Sequence, residues 1–230
     1  MTGKLSIVAT PIGNLEDITL RALRVLKEAD VIYCEDTRVT KKLLSRYDIH
    51  TPLRRLDANV EAQKAEEVIG RLAKGEHVAH VTDAGTPGIS DPGSRLVSIV
   101  RNAFSEFTSQ TYNIEAIPGA SALTTALSIS GLKADRFMFL GFLPHKKGRE
   151  SLLAEIAVGD EASIFYESPH RIVKTLAVLA RLMPDRRVGI GRELTKLHEE
   201  MLVGTPEELL PHFDDPQKMR GEFVVVVEAV

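Results

Sequence analysis

Residues 77–93 read HVAHVTDAGTPGISDPG. The first six make a short, largely apolar run of the kind expected for a strand buried in a sheet. The remaining eleven, residues 83–93, carry three glycines and two prolines. Glycine admits positive φ and close backbone approach, and proline stiffens what lies between. A helical pattern follows over residues 94–103. Strand, rigid loop and helix in that order form the repeating unit of a parallel α/β sheet. Such sheets bind ligands beyond the carboxyl ends of their strands, where this loop lies. Taken alone, the loop also reads as an ordinary strand-to-helix turn.

The same rhythm extends outward. Residues 5–9 (LSIVA) and 31–34 (VIYC) read as the first and second strands, 77–82 as the third and 112–117 (YNIEAI) as the next. Helices are expected over 18–29, with Asp17 as N-cap, over 39–47, over 60–74 with a stop at Gly75, and over 121–130 with a stop at Gly131. The second half changes character. Strands are predicted at 137–143, 162–166 and 187–191, helices at 149–157 and 171–182, and a short helix at 207–213. Two further extended runs, 194–204 and 221–230, suggest antiparallel pairing. The expected class is α/β, with a mainly parallel N-terminal domain over residues 1–135 and a mixed-sheet domain over 136–230.

Composition narrows the function. The chain has 230 residues, 43% hydrophobic and 27% charged, with a net charge of −3. Proteins that grip naked nucleic acid by neutralising phosphates carry a basic face, and bulk charge gives no sign of one here. No apolar run approaches the roughly 20 residues that span a bilayer. The N-terminus lacks the pattern of a signal peptide, and Cys34 is the single cysteine. A cytoplasmic protein is therefore expected. The seven histidines show no zinc spacing, so no metal is expected. GxxxxGK[ST] and GxSxG are absent, which argues against a P-loop nucleotidase and an α/β-hydrolase.

Several motifs occur in fixed order: ATPIGNLEDIT (9–19), CEDTR (34–38), DAGTPGISDPG (83–93), IPGAS (117–121), GFLP (141–144), FYESPHR (165–171), RELTKLHEE (192–200) and GEFVVVVE (221–228). Together they resemble the tetrapyrrole-methylase-like family, in the branch that methylates small-subunit ribosomal RNA. The resemblance runs from about residue 4 to residue 228. It implies two α/β domains with S-adenosylmethionine in the cleft between them, and a homodimer. It implies methylation of the 2′-hydroxyl of a cytidine in the decoding region of 16S rRNA. It implies cofactor contacts at Pro11 and Ile12, at Thr86, Pro87 and Ile89, and at Ser121 and Ala122. Tyr166, Glu167, Arg192 and Glu193 should face the methionine part, and Gly221 and Glu222 the adenine end. Thr86 stands where tetrapyrrole enzymes carry aspartate, so backbone contacts are expected there. The stretch around residues 99–121 is less regular than the family pattern. Many members continue past the final strand into a helical tail, and the sequence ends at Val230. If that tail helps subunits dock, weaker RNA affinity is the expectation.

Transfer of a methyl group to a hydroxyl is largely positioning catalysis, helped by a base. The charged strand-end residues are Glu35, Asp36, Arg38, His170, Arg171, Glu193, Lys196 and Glu200. Glu193 ranks first as base, then His170, then Glu35; a salt-bridged strand end and a helix cap are the plainer readings of Glu35 and His170. Arg38, Lys42, Lys146, Lys147 and Arg149 are expected to hold RNA phosphates, against the alternative of a solvated basic face. Other readings are a precorrin-type tetrapyrrole methyltransferase, which ATPIGNL and SPHR oppose, and a non-catalytic ribosome-assembly module.

Overall fold

A computed structural model describes residues 3–105 and 113–230. The expected strand start at Tyr112, and residues 106–112 of the stretch 99–121 that departs from the family pattern, lie outside these residues. The chain forms two compact units, Met1–Ser121 and Ala122–Val230.

The first unit is built on a five-stranded, wholly parallel sheet. Its strands are β1 (Lys4–Val8), β2 (Val31–Cys34), β3 (Leu53–Arg55), β4 (His77–Val81) and β5 (Asn113–Ile117), in the order β3-β2-β4-β1-β5. The three-residue β3 is too short and too polar (LRR) to show the apolar run that reveals a strand, and sequence reading missed it. The helices are α1 (Leu20–Glu28), α2 (Thr37–Arg46), α3 (Glu61–Ala73) and α4 (Ser94–Ser105).

Both faces of the sheet are covered, which explains why VIYC is apolar throughout rather than alternating. Ile32 and Cys34 pack with Ala22, Val25, Leu43 and Leu44 of α1 and α2. Val31 and Tyr33 point the other way, into Ala65, Val68, Leu96 and Val100 of α3 and α4. Each fully buried aliphatic side chain of this kind contributes about 1.5–3 kcal/mol. The expected helix 18–29 divides in two. Leu15–Asp17 is a 3-10 turn capped by Asn14, and Thr19 rather than Asp17 caps α1 by accepting from Ala22 N at 3.0 Å.

The second unit holds α5 (Ala122–Ser130), β6 (Phe137–Phe142), α6 (Arg149–Val158), β7 (Ala162–Glu167), α7 (Ile172–Leu182), β8 (Val188–Arg192), β9 (Glu200–Gly204), α8 (Pro206–Leu209) and β10 (Phe223–Val227). The sheet order is β6-β7-β10-β8-β9; β6 and β7 are parallel and the other pairings antiparallel. The mixed sheet is as expected, but β9 and β10 do not pair with each other: β8 lies between them. Residues 194–199 turn rather than extend, so β9 begins only at Glu200. Helix α5 packs on β8, β9 and β10. The sequence-based division at 135/136 counted it with the first half.

Candidate active site

In the first unit the chain leaves β1 across β4 to reach β2, and leaves β4 across β1 to reach β5. The two connections depart in opposite directions, so the carboxyl ends of β1 and β4 mark a topological switch point. Their loops are joined there. Thr10 N donates to Gly85 O at 2.9 Å, and Gly85 N to Thr10 O at 3.1 Å. Thr10 Oγ1 donates to Thr82 O at 3.1 Å. The β5 loop is tied in as well: Thr86 Oγ1 donates to Ala120 O at 3.2 Å, and Ala9 N to Ile117 O at 3.1 Å. Gly119 lies so close to β1 that a Cβ there would sit 3.0 Å from Ala9 Cβ.

Loop 83–93 is also fixed at its far end. The buried Glu61 of α3 accepts from Gly93 N at 2.9 Å and Leu96 N at 2.8 Å, satisfying two donors at the start of α4. Inside the loop, Gly88 N donates to Pro92 O at 3.1 Å and Ile89 N to Thr86 O at 3.3 Å. Of the residues expected at a cofactor, the structure thus gathers Thr86 and Pro87 with the β1 and β5 loops. Ile12 is 3.4 Å from where a Cβ of Gly85 would be. Pro11 and Pro87 are buried, Ile12, Thr86 and Ser121 half-buried, and Ile89 exposed. These bonds hold the loops after β1, β4 and β5 as one fixed edge at the switch point, where a sheet of this kind takes its ligand.

Beyond the ends of β2, β3 and β4 lies a hollow of about 480 Å³ lined by residues 35–38, 55, 57–59 and 83. Its four carboxylates differ sharply. Asp36 caps α2 and pairs with Arg38 at 2.6 Å, which holds its carboxyl down to about 2. Asp57 is opposed by burial, but the Asn59 amide, Arg55 at 2.5 Å and the Val60 amide keep it below the usual range. Glu35 has no ion pair among the described residues; burial and the charges of Asp83, Asp57 and Asp36 push it up. Asp83 is raised by burial and by Asp36, although it accepts from Asp36 N at 3.0 Å. Arg55, Asp57 and Asn59 drew no notice in the sequence. The chain around them (LRRLDANV, 53–60) opens with the unrecognised β3, so nothing marked it as a strand end.

In the second unit, Glu167 ends β7 wholly buried. It is held by Arg149, by Arg171 Nε at 2.8 Å, by Thr175 Oγ1 at 2.7 Å and by Ser168 N at 2.8 Å. Arg149, expected on RNA phosphate, therefore directs its guanidinium inward, to Glu167, to Thr175 Oγ1 at 2.5 Å and to Pro144 O at 3.3 Å. Lys146 and Lys147 stand exposed in the turn before it, and His170 is exposed before α7. Lys42 and Arg38 are exposed on α2. Tyr166 packs edge-on against Phe139 and Phe142, at 5.2 and 5.3 Å between ring centres.

Arg192 is buried and its donors are engaged. It reaches Arg220 O at 2.8 Å, Gln217 O at 3.0 Å, His198 O at 3.3 Å and Glu200 at 3.1 Å, pinning the two loops that flank β9 and β10. Glu193, at φ +48, accepts from Lys196 Nζ at 2.8 Å and Glu222 N at 3.0 Å. Burial raises its carboxyl, but Lys196 and the Glu222 amide bring it below its ordinary value. Gly221 (φ +107) has no room for a side chain: a Cβ would lie 2.5 Å from Glu193 Cγ. Among the described residues, no group of three or more His, Cys, Asp or Glu is arranged to hold a metal ion, and no helix is long and apolar enough to cross a membrane.

A parallel five-stranded unit with its loops tied at the switch point, followed by a mixed five-stranded unit, defines a class. The family described as Tetrapyrrole (Corrin/Porphyrin) Methylases matches residues 4–210. The chain belongs to that family. It is 43% identical to the ribosomal RNA small subunit methyltransferase I of Thermotoga maritima, over 98% of both chains. To the protein of the same name from Halalkalibacterium halodurans it is 46% identical, over 98% of this chain and 76% of that one. Identity at this level over nearly the whole chain places it in their branch of the family. Among solved structures, the methyltransferase CobJ superposes with a TM-score of 0.70 at 22% identity, covering 100% of this chain and 95% of that one. Diphthine synthase does so with 0.69 at 16%, covering 99% and 90%. At such identities the agreement is one of fold.

Proposed function

We propose that the protein methylates the ribose 2′-hydroxyl of a cytidine in the decoding region of 16S rRNA, on the small ribosomal subunit, with S-adenosylmethionine as donor. The observation that carries the reading is the Thr10–Gly85 bridge with its Thr86–Ala120 tie. It makes a fixed wall at the switch point of a chain whose relatives are named for ribosomal RNA methylation. Pro11, Ile12, Thr86, Pro87, Ile89 and Ser121 would hold the cofactor from the first unit. Ala122, Tyr166, Gly221 and Glu222 would do so from the second, on the strength of the resemblance. Glu167 and Arg192 serve there as clamps that position their loops, since their polar atoms are already bound within the protein. From the resemblance we also assign a cytoplasmic homodimer.

S-adenosylmethionine, when bound, supplies a sulfonium methyl group that passes to the hydroxyl oxygen while the C–S electron pair stays on sulfur. The protein's part is to align the hydroxyl and accept its proton. Glu193 is already engaged by Lys196 and the Glu222 amide. His170 stands in solvent. Glu35 carries a carboxylate without a cation partner among the described residues and borders a hollow. Lys146, Lys147, Arg38 and Lys42 offer charge to phosphates from the surface.

The test is incubation with radiolabelled S-adenosylmethionine and 30S subunits lacking the modification, or naked 16S rRNA, followed by mapping of 2′-O-methyl groups. Label is expected on the assembled subunit in preference to naked RNA. No transfer to either substrate, with cofactor binding intact, overturns the reading.

A further inference from the structure

We infer that the hollow at the carboxyl ends of β2, β3 and β4 seats the target ribonucleotide, splayed out of single-stranded RNA, and that Glu35 there takes the proton of its ribose hydroxyl. The inference rests on the rRNA-methylation reading and deepens it.

Position argues first. Asp83 lines the hollow and also begins the 83–93 loop, so the hollow opens next to the cofactor wall. At about 480 Å³ it falls in the range of small-ligand pockets. RNA is read mostly as unstacked nucleotides, and enzymes acting on one nucleotide take it out of its stack.

Chemistry argues next. Arg38 and Arg55 stand at the rim with side chains 87% and 71% exposed, where a backbone phosphate can meet them without being desolvated. Arg38 holds Asp36 through Nε and Nη2, which leaves Nη1 pointing away from that pair. The carboxylates and the Asn59 amide accept from ribose hydroxyls and from an exocyclic amine of the cytosine type.

The four acids around the hollow divide by their partners. Two carry an arginine each and are held ionised. Among the described residues Glu35 and Asp83 form no ion pair, and burial pushes both toward easier protonation, for Asp83 against the charge of Arg38. Neighbouring carboxyls driven apart in this way mark a proton acceptor set beside structural partners. Asp83, bound to the Asp36 amide, is the positioning residue: it fixes the turn that carries Glu35 to the cofactor loop. The proton passes from the 2′-hydroxyl to a Glu35 carboxylate oxygen as the new O–CH₃ bond forms, and leaves to water after release.

The test pairs binding with catalysis. Cytidine 5′-monophosphate is titrated into the ¹⁵N-labelled protein while backbone amides are followed. Residues 36, 37, 58 and 59 are expected to shift, and Arg55→Glu to abolish the shifts. On unmodified 30S subunits, Glu35→Gln is expected to lower kcat about 10²- to 10⁴-fold. Its KM for subunits and its cofactor affinity by calorimetry should hold within about threefold. Glu35→Asp should recover part of the rate. Shifts that fall elsewhere, or a Glu35→Gln rate within about threefold of wild type, overturn the proposal. Wild-type protein that methylates no RNA sinks the functional reading instead, and the titration still judges the hollow.

Discussion

Glu35→Gln has a second consequence, in stability. The folded state raises this carboxyl above its ordinary 4.5, through burial and then the charge of Asp83. Between the unfolded and folded values the native state binds the extra proton, so stability falls as pH rises through that window. Neutral glutamine lacks this burden. The variant is expected to unfold at higher urea than wild type at pH 7, with the difference vanishing below about pH 4.5. An unchanged midpoint at pH 7 counts against the burden. Removing Glu167 should lower stability instead. It is wholly buried between Arg149 and Arg171, whose side chains are only 14% and 15% exposed. Removing it strands two guanidinium groups, a loss of about 3–5 kcal/mol. Glu167→Ala should show this in urea denaturation, whereas truncating Glu28, paired with Arg24 on the exposed side of α1, should cost about 1 kcal/mol or less.

Helix α4 begins on a carboxylate from another helix, since Glu61 of α3 accepts from Gly93 N and Leu96 N. Glu61→Ala leaves two buried amides unsatisfied, at about 1–3 kcal/mol each. The same change releases the end of loop 83–93, so the cofactor affinity measured by calorimetry should fall along with the melting temperature. A fall in melting temperature alone would detach Glu61 from the site. This bond also shows where sequence reading stops. The alternation of apolar runs with helical patterns revealed nine of the ten described strands, because VIYC, ASIFY and FVVVV are long enough and apolar enough to be seen. β3 stayed hidden because three residues of LRR carry no period, and the Arg55–Asn59 side of the hollow stayed hidden with it. The glycine loops were legible as loops. That Thr10 meets Gly85 across 75 residues, or that Arg149 turns inward to Glu167, is decided by tertiary packing that no local pattern encodes.

Across the whole molecule the net charge is −3, yet Lys146 and Lys147 project together from one exposed turn. Local charge of that kind acts through counterion release. Removing one lysine–phosphate pair flattens the dependence of log K on log salt by about 0.7–0.9. Replacing both lysines with glutamate should weaken 30S binding and flatten that slope by about 1.5, with cofactor affinity unchanged; a slope like that of wild type would remove the turn from the interface. The order of strands bears on how the molecule is made. The first unit has all its strands by Ile117. The second receives the middle strand of its sheet last, since β10 enters between β7 and β8. During synthesis, then, the cofactor wall can form on the emerging chain. The second core stays open along the facing edges of β7 and β8 until β10 has been made. The first unit can thus fold while the second still lacks the strand that joins the two halves of its sheet.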